Sequence, residues 1–161
     1  MRIYLASDHA GFELKEKIKK YLEDLKYEIK DFGAFKHEPE DDYPDFIFPA
    51  MKALSSDVQH SVLNSRGIIF GGSGIGECIV ANRIKGIRAV RAWDVVSAKM
   101  SRCHNNANVL CLGGGKTVDK TQNVGISFTK AKRIVDTWLA TPFSGEPRHL
   151  RRIEKIDKLF M

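Results

Sequence analysis

The segment Arg66-Gly-Ile-Ile-Phe-Gly-Gly-Ser-Gly-Ile-Gly-Glu-Cys-Ile-Val-Ala-Asn82 constrains the fold more than any other part of the chain. The apolar run Ile68-Ile69-Phe70 passes straight into Gly71-Gly72-Ser73-Gly74-Ile75-Gly76, and a helical pattern starts at Glu77. A buried strand, a glycine-dense turn and a helix N-terminus present several backbone N–H groups to one anion. Glycine suits such a turn because it tolerates positive φ and lets the backbone approach a ligand closely. Glu77 is the exception, since its carboxylate would repel a resident phosphate. The turn therefore suits an anion that forms only during a reaction, such as an enolate, with Glu77 as the base beside it.

The pattern around this segment is alternating. Arg2 to Ala6 reads as a first strand, and Phe12 to Lys26 as a helix with Leu14, Ile18, Leu22 and Leu25 on one face. Tyr27 to Asp31 is a second strand. A loop over Gly33 to Pro44 leads to a helix over about 45–56, with Pro44 at or just before its start. Gly67 to Phe70 is the third strand, and the helix after the glycine turn runs from Glu77 to Ile84. Ile87 to Ala92 is a fourth strand, followed by a helix over Asp94 to Cys103 capped by Asp94. Asn108 to Leu112 is a fifth strand, followed by helices over 119–140 and Arg148 to Phe160. This order predicts an α/β fold, a Rossmann-like three-layer α/β/α sandwich around a five-stranded parallel sheet. Ligands in such folds bind beyond the carboxyl ends of the strands. The unusual clusters sit there: Asp8-His9 after the first strand, the glycine turn after the third, and Gly113 to Lys116 after the fifth.

Composition narrows the class. A chain of 161 residues suggests one domain over 1–161. Hydrophobic content of 43% and charged content of 29% are those of a globular protein that needs no staples. The net charge of +6 admits anionic partners. The three cysteines, Cys78, Cys103 and Cys111, lack metal-ligand spacing, so no metal is expected and a reducing, cytoplasmic setting is. No apolar run reaches the ~18 residues of a membrane span. Basic residues along the first and last helices are not interleaved with aromatics, which argues against nucleic acid.

Each motif has a plainer reading. The glycines at 71, 72, 74 and 76 miss the G-x-G-x-x-G spacing and follow the third strand rather than the first, so no dinucleotide cofactor is expected. A purely structural turn needs fewer glycines. Asp8-His9 fits a helix cap as well as chemistry. His104-Asn105-Asn106 fits a turn after a helix. Arg148 and Arg152 share one helix face, and fit either a phosphate site or a solvated basic face with Arg151 and Lys155. Trp93 and Trp138 are assigned to the core, the acids of Glu38 to Asp45 to a solvated loop, and Cys78 to a small buried apolar position.

Together these pieces resemble the type B ribose-5-phosphate isomerases, a family that includes the galactose-6-phosphate isomerase subunits. The likeness rests on Ser7-Asp-His-Ala-Gly-Phe12 with Leu14-Lys15, Asp42-Tyr-Pro-Asp-Phe46, Gly72-Ser-Gly-Ile-Gly76 with Ala81-Asn82 and Gly86-Ile-Arg-Ala89, Ser101 to Asn108, and Arg148-His-Leu-Arg-Arg152. It covers nearly the whole chain. The resemblance implies aldose–ketose isomerisation through an enediolate, acting on ribose 5-phosphate in the non-oxidative pentose phosphate pathway. The alternative substrates are galactose 6-phosphate, allose 6-phosphate or a tetrose phosphate. A non-catalytic sugar-phosphate sensor or a basic nucleic-acid-binding module is the alternative of a different class. It implies neither metal nor cofactor, and a homodimer with shared active sites, leaving open a tetramer. Carried over by position, Asp8 and His104 assist ring opening, and Ser73 lies near the reacting carbons. Amides from Gly72 through Gly74 to Gly76 hold the enediolate oxygen. Tyr43 and Asn105 line the pocket, and His9, Arg148 and Arg152 bind the phosphate. Many members place a cysteine base where this chain has Gly71; another branch uses a glutamate after the turn, as Glu77 stands here. Many also carry a phosphate-binding arginine at the position of Gly115, and Lys116 is the neighbouring substitute.

Overall fold

The computed structural model describes residues 1–60, 64–115 and 124–160. Strands β1 (Arg2–Ser7), β2 (Glu28–Asp31), β3 (Arg66–Gly71), β4 (Ala89–Arg91) and β5 (Val109–Gly113) form one sheet in the order β2-β1-β3-β5-β4. Every pairing is parallel. Helices α1 (His9–Asp24), α2 (Tyr43–Gln59), α3 (Ile75–Ala81), α4 (Val95–Asn105), α5 (Phe128–Ala140) and α6 (Pro147–Asp157) alternate with the strands or follow them.

The central strands β1, β3 and β5 are buried on both faces, which is why they are mostly apolar runs rather than alternations. Ile3, Leu5, Ile68, Phe70, Leu110 and Leu112 pack on one side against Leu14 and Ile18 of α1, Ala98 of α4, and Ile134 and Trp138 of α5. Tyr4, Ala6, Ile69, Val109 and Cys111 pack on the other side against Ile47, Met51 and Leu54 of α2 and Ala81 of α3. The chain leaves β1 towards β2 and returns on the opposite side of β1 as β3. The reversal opens a crevice at the carboxyl ends of β1 and β3, where parallel sheets bind ligands. Register places Ser7 level with Phe70, and Gly71 level with Gly113, so the residues that follow share one rim.

Several boundaries differ from the sequence expectation. Helix α1 starts at His9 rather than Phe12, because the Asp8 side chain accepts the Gly11 N–H at 2.9 Å and caps it. Helix α3 starts at Ile75, so Gly76 and Glu77 belong to its first turn. Helix α2 runs further at both ends than 45–56, and strand β4 keeps only three of the expected residues. Helix α5 starts at Phe128 behind the Ser127 cap rather than near 119, and residues 119–123 lie outside the described ones. Trp138 is fully buried as expected, whereas Trp93 is 57% exposed and is not a core residue.

Candidate active site

The glycine turn is held by its carbonyl groups. Gly71 O accepts from Gly114 N at 2.8 Å, Gly72 O from Gly115 N at 3.0 Å, and Ser73 O from Arg91 Nε at 2.6 Å. The Ser73 hydroxyl accepts the Ile75 N–H at 3.1 Å. None of these bonds is donated by Gly72, Ser73, Gly74 or Gly76, so the turn fastens itself to the sheet without using the amides expected to meet an anion. Gly74 has φ +77° and is the cap of α3, a conformation that disfavours residues with a Cβ. The Tyr43 ring, at the start of α2, lies against Gly76.

Glu77 turns back over the end of β3. A Cβ on Gly71 would overlap the Glu77 carboxylate, so residue 71 has to be glycine for this side chain to lie where it does. Glu77 is 3% exposed. Burial pushes its carboxyl above the ordinary glutamate value of 4.5, the negative charge of Asp8 adds to the rise, and its own backbone N–H opposes it. Asp8 is buried as well. Burial raises its carboxyl, against the lowering effects of the Gly11 amide and His9. Neither carboxyl has an ion pair with a lysine or arginine among the described residues. Two adjacent carboxyls raised by burial have the acid–base character that proton abstraction near neutral pH requires.

His9 stands on the other side of the turn. Asp41 Oδ1 accepts both its backbone N–H at 3.0 Å and its Nδ1–H at 2.6 Å. That carboxylate raises the His9 pKa, so it favours the protonated ring, in which Nε2 is an outward donor. Asp41 therefore does not belong to a solvated acidic loop. One of many acids between Glu38 and Asp45, it carries no local mark of this role, because its partner lies 32 positions away. An open cleft of about 320 Å³ adjoins the turn, lined by His9, Ala10, Glu13, His37, Gly72, Gly114, Gly115 and Val124. Among the described residues no group of three or more His, Cys, Asp or Glu side chains is placed to hold a metal ion.

The remaining sequence-predicted residues sit elsewhere in the chain. His104 and Asn105 are in the last turn of α4, and an 11-residue helix carries the chain about 16 Å back towards the amino ends of the strands. There His104 stacks on His149 of α6, with ring centroids 4.4 Å apart and planes within 12°. Arg148 is exposed and paired with Glu146 at 2.8 Å, and Arg152 is exposed. One chain thus gathers Asp8, His9, Tyr43, Gly72, Ser73, Gly74, Gly76 and Glu77 at one end of the sheet, and holds His104, Asn105, Arg148 and Arg152 at the other. Lys116 lies outside the described residues. His149 was passed over in the sequence, although its place four residues before the apolar Ile153 puts it on the buried face of α6.

Residues 3–156 match the family model described as Ribose/Galactose Isomerase. The chain is 42% identical over 154 residues to ribose-5-phosphate isomerase B of Mycolicibacterium paratuberculosis, covering 96% of this chain and 88% of that protein. Among solved structures it is similar to a ribose 5-phosphate isomerase from Thermotoga maritima (TM-score 0.82, 42% identity, 98% and 97% of the two chains covered). It is also similar to ribose-5-phosphate isomerase B from Mycoplasma genitalium with bound ribulose-5-phosphate (TM-score 0.86, 34% identity, 99% and 95% covered).

Proposed function

The chain belongs to the ribose/galactose isomerase family, and on that premise we propose how its residues interconvert ribose 5-phosphate and ribulose 5-phosphate. It is an aldose–ketose isomerase of the non-oxidative pentose phosphate pathway. The observation that carries the mechanism is the Glu77 carboxyl, folded into the space that a side chain on Gly71 would fill and raised in pKa by burial. In the branch with a cysteine at that position the base projects from residue 71; here the carboxyl of Glu77 reaches the same place from the helix.

Glu77 takes the proton from C2 of the open-chain aldose. The C2–H electron pair becomes the C1=C2 bond, and charge moves onto O1. The amides of Gly72 to Gly76 stabilise that oxygen, each well-placed donor contributing roughly 3 kcal/mol to the transition state. The proton on O2 then passes to O1, and Glu77 returns its proton to C1, leaving the C2 ketone. Ser73 lies beside the reacting carbons and Tyr43 walls the pocket through its contact with Gly76. Asp8 and His104 open the sugar ring, Asn105 lines the pocket, and His9, Arg148, Arg152 and Lys116 bind the phosphate.

This assignment needs two chains, because His104, Asn105, Arg148 and Arg152 lie at the end of the sheet away from Glu77. The outer face of α3 exposes Ile75 (53%) and Ile79 (55%), and the exposed Trp93 follows β4. A second copy covering this apolar face brings its own amino-end residues to Glu77 in a homodimer with shared sites. Three free thiols, at Cys78, Cys103 and Cys111, fit a reducing cytoplasm.

The test is complementation. Glu77→Gln and His104→Asn are each expected to be inactive. Mixed and allowed to exchange subunits, they should recover up to about a quarter of wild-type activity, because half of the dimers are mixed and each mixed dimer has one intact site. No recovery, with mixed dimers shown by mass spectrometry, would place both residues in one chain's site and overturn the shared arrangement.

A further inference from the structure

The loop between β2 and α2 is fastened at both ends beside the cleft. Near its start, Ser7 N donates to Gly33 O at 2.6 Å and Ala34 N to Ser7 O at 2.7 Å, joining it to the end of β1. Near its end, Asp41 accepts two hydrogen bonds from His9, the first residue of α1. His37 stands between these anchors. Its ring meets that of His9 edge-on, with centroids 5.9 Å apart and planes at 81°, and both line the cleft that begins at Gly72.

Only three described residues lining that cleft have titratable side chains: His9, His37 and Glu13. Among the other described residues lining it, Gly114 and Gly115 donate their backbone N–H groups to carbonyls of the glycine turn. A sugar phosphate whose C1 and C2 lie at the turn extends its anionic end away from Glu77 and into this cleft. Rings this close allow one tetrahedral phosphate to take an N–H from each.

We infer that His37 is a substrate-binding residue that, with His9, holds the phosphate of the sugar from the described side of the cleft. Asp41 is the positioning residue of this pair, since it orients the His9 ring and pins the loop that carries His37. The inference rests on the phosphorylated-sugar reading above and adds to it a contact made by an exposed loop.

The experiment compares wild type with His37→Gln and His37→Arg. Steady-state kinetics with ribose 5-phosphate are measured beside calorimetric binding of inorganic phosphate. His37→Gln should raise KM about tenfold, leave kcat within about twofold, and weaken inorganic phosphate binding by the same factor, the loss of one charge-assisted hydrogen bond. His37→Arg should restore both. KM and phosphate affinity unchanged in His37→Gln would overturn the inference, as would a fall in kcat alone. A wild type without isomerase activity, whose phosphate binding still depends on His37, would overturn the substrate assignment and leave this inference standing.

Discussion

Buried charge is handled in opposite ways at the two ends of the sheet. At the amino end the charges are guanidinium groups. Arg66 donates to the carbonyls of Trp138 and Leu139 in the last turn of α5, and Arg102 donates to Thr141 O, Ala107 O and the Asn106 side chain. Both lie against the Trp138 ring, at 5.3 and 5.8 Å. Burial, with Arg66 and Arg88 nearby, pushes Arg102 down to about 10, which still leaves it charged at neutral pH. These cations occupy helix C-termini, where the macrodipole and the free carbonyls favour them. At the carboxyl end, where Lys15 and Asp31 form a buried ion pair, the carboxyls of Asp8 and Glu77 are raised by burial and have no lysine or arginine partner among the described residues. A buried charge whose donors are all placed is structural. A buried acid without a lysine or arginine partner, its pKa raised, is ready to exchange a proton.

Removing the base tests the difference most severely. Glu77→Gln should lower kcat at least a thousandfold while the fold persists, measured as turnover of ribose 5-phosphate beside thermal unfolding. The same variant should be more stable than wild type at pH 7, by about 1 kcal/mol, since a buried carboxylate whose charged form is disfavoured is gone. The sign follows from linkage. The folded pKa of Glu77 is raised, so the folded chain holds a proton that the unfolded chain has already released, and wild-type stability falls as pH rises from the unfolded value through the folded one. The stabilisation should therefore shrink as pH falls through the folded value towards 4.5. Turnover kept within tenfold, or lower stability at pH 7, would mean that the carboxyl is structural after all.

Arg66→Met probes the other end. It should destabilise the protein by ~2–3 kcal/mol in urea, because two carbonyls lose a charged donor, while kcat stays within about twofold. A large fall in kcat without a change in stability would erase the distinction between the two ends.

The smallest effect is on the pH profile. The acid limb of kcat/KM reports the free enzyme's base and should lie above the 4.5 of an ordinary glutamate, with activity lost as pH falls through it. A limb at or below 4.5 would show that Glu77 is hydrated in solution.

Much of this was legible in the residues themselves. Apolar runs broken by helical periodicity specified strands and helices, and their alternation specified a parallel sheet. The glycines from 71 to 76, followed by Glu77, marked the turn at which we place the reacting centre. Boundaries shifted where a cap acted, as when Asp8 drew the start of α1 back to His9. Trp93 was misplaced because hydrophobicity reports what a side chain tolerates, whereas exposure depends on what lies against it.

By itself, then, the sequence determined whatever acts within a few residues: periodicity, turn chemistry, and the juxtaposition of a carboxylate with a glycine turn. The tertiary structure alone decided which distant groups meet. It folded Glu77 over Gly71, tied Asp41 to His9, and laid Arg66 against Trp138 across 72 positions of chain. It also carried His104 to the far end of the sheet, because a helix that follows one parallel strand must run back before the next can begin.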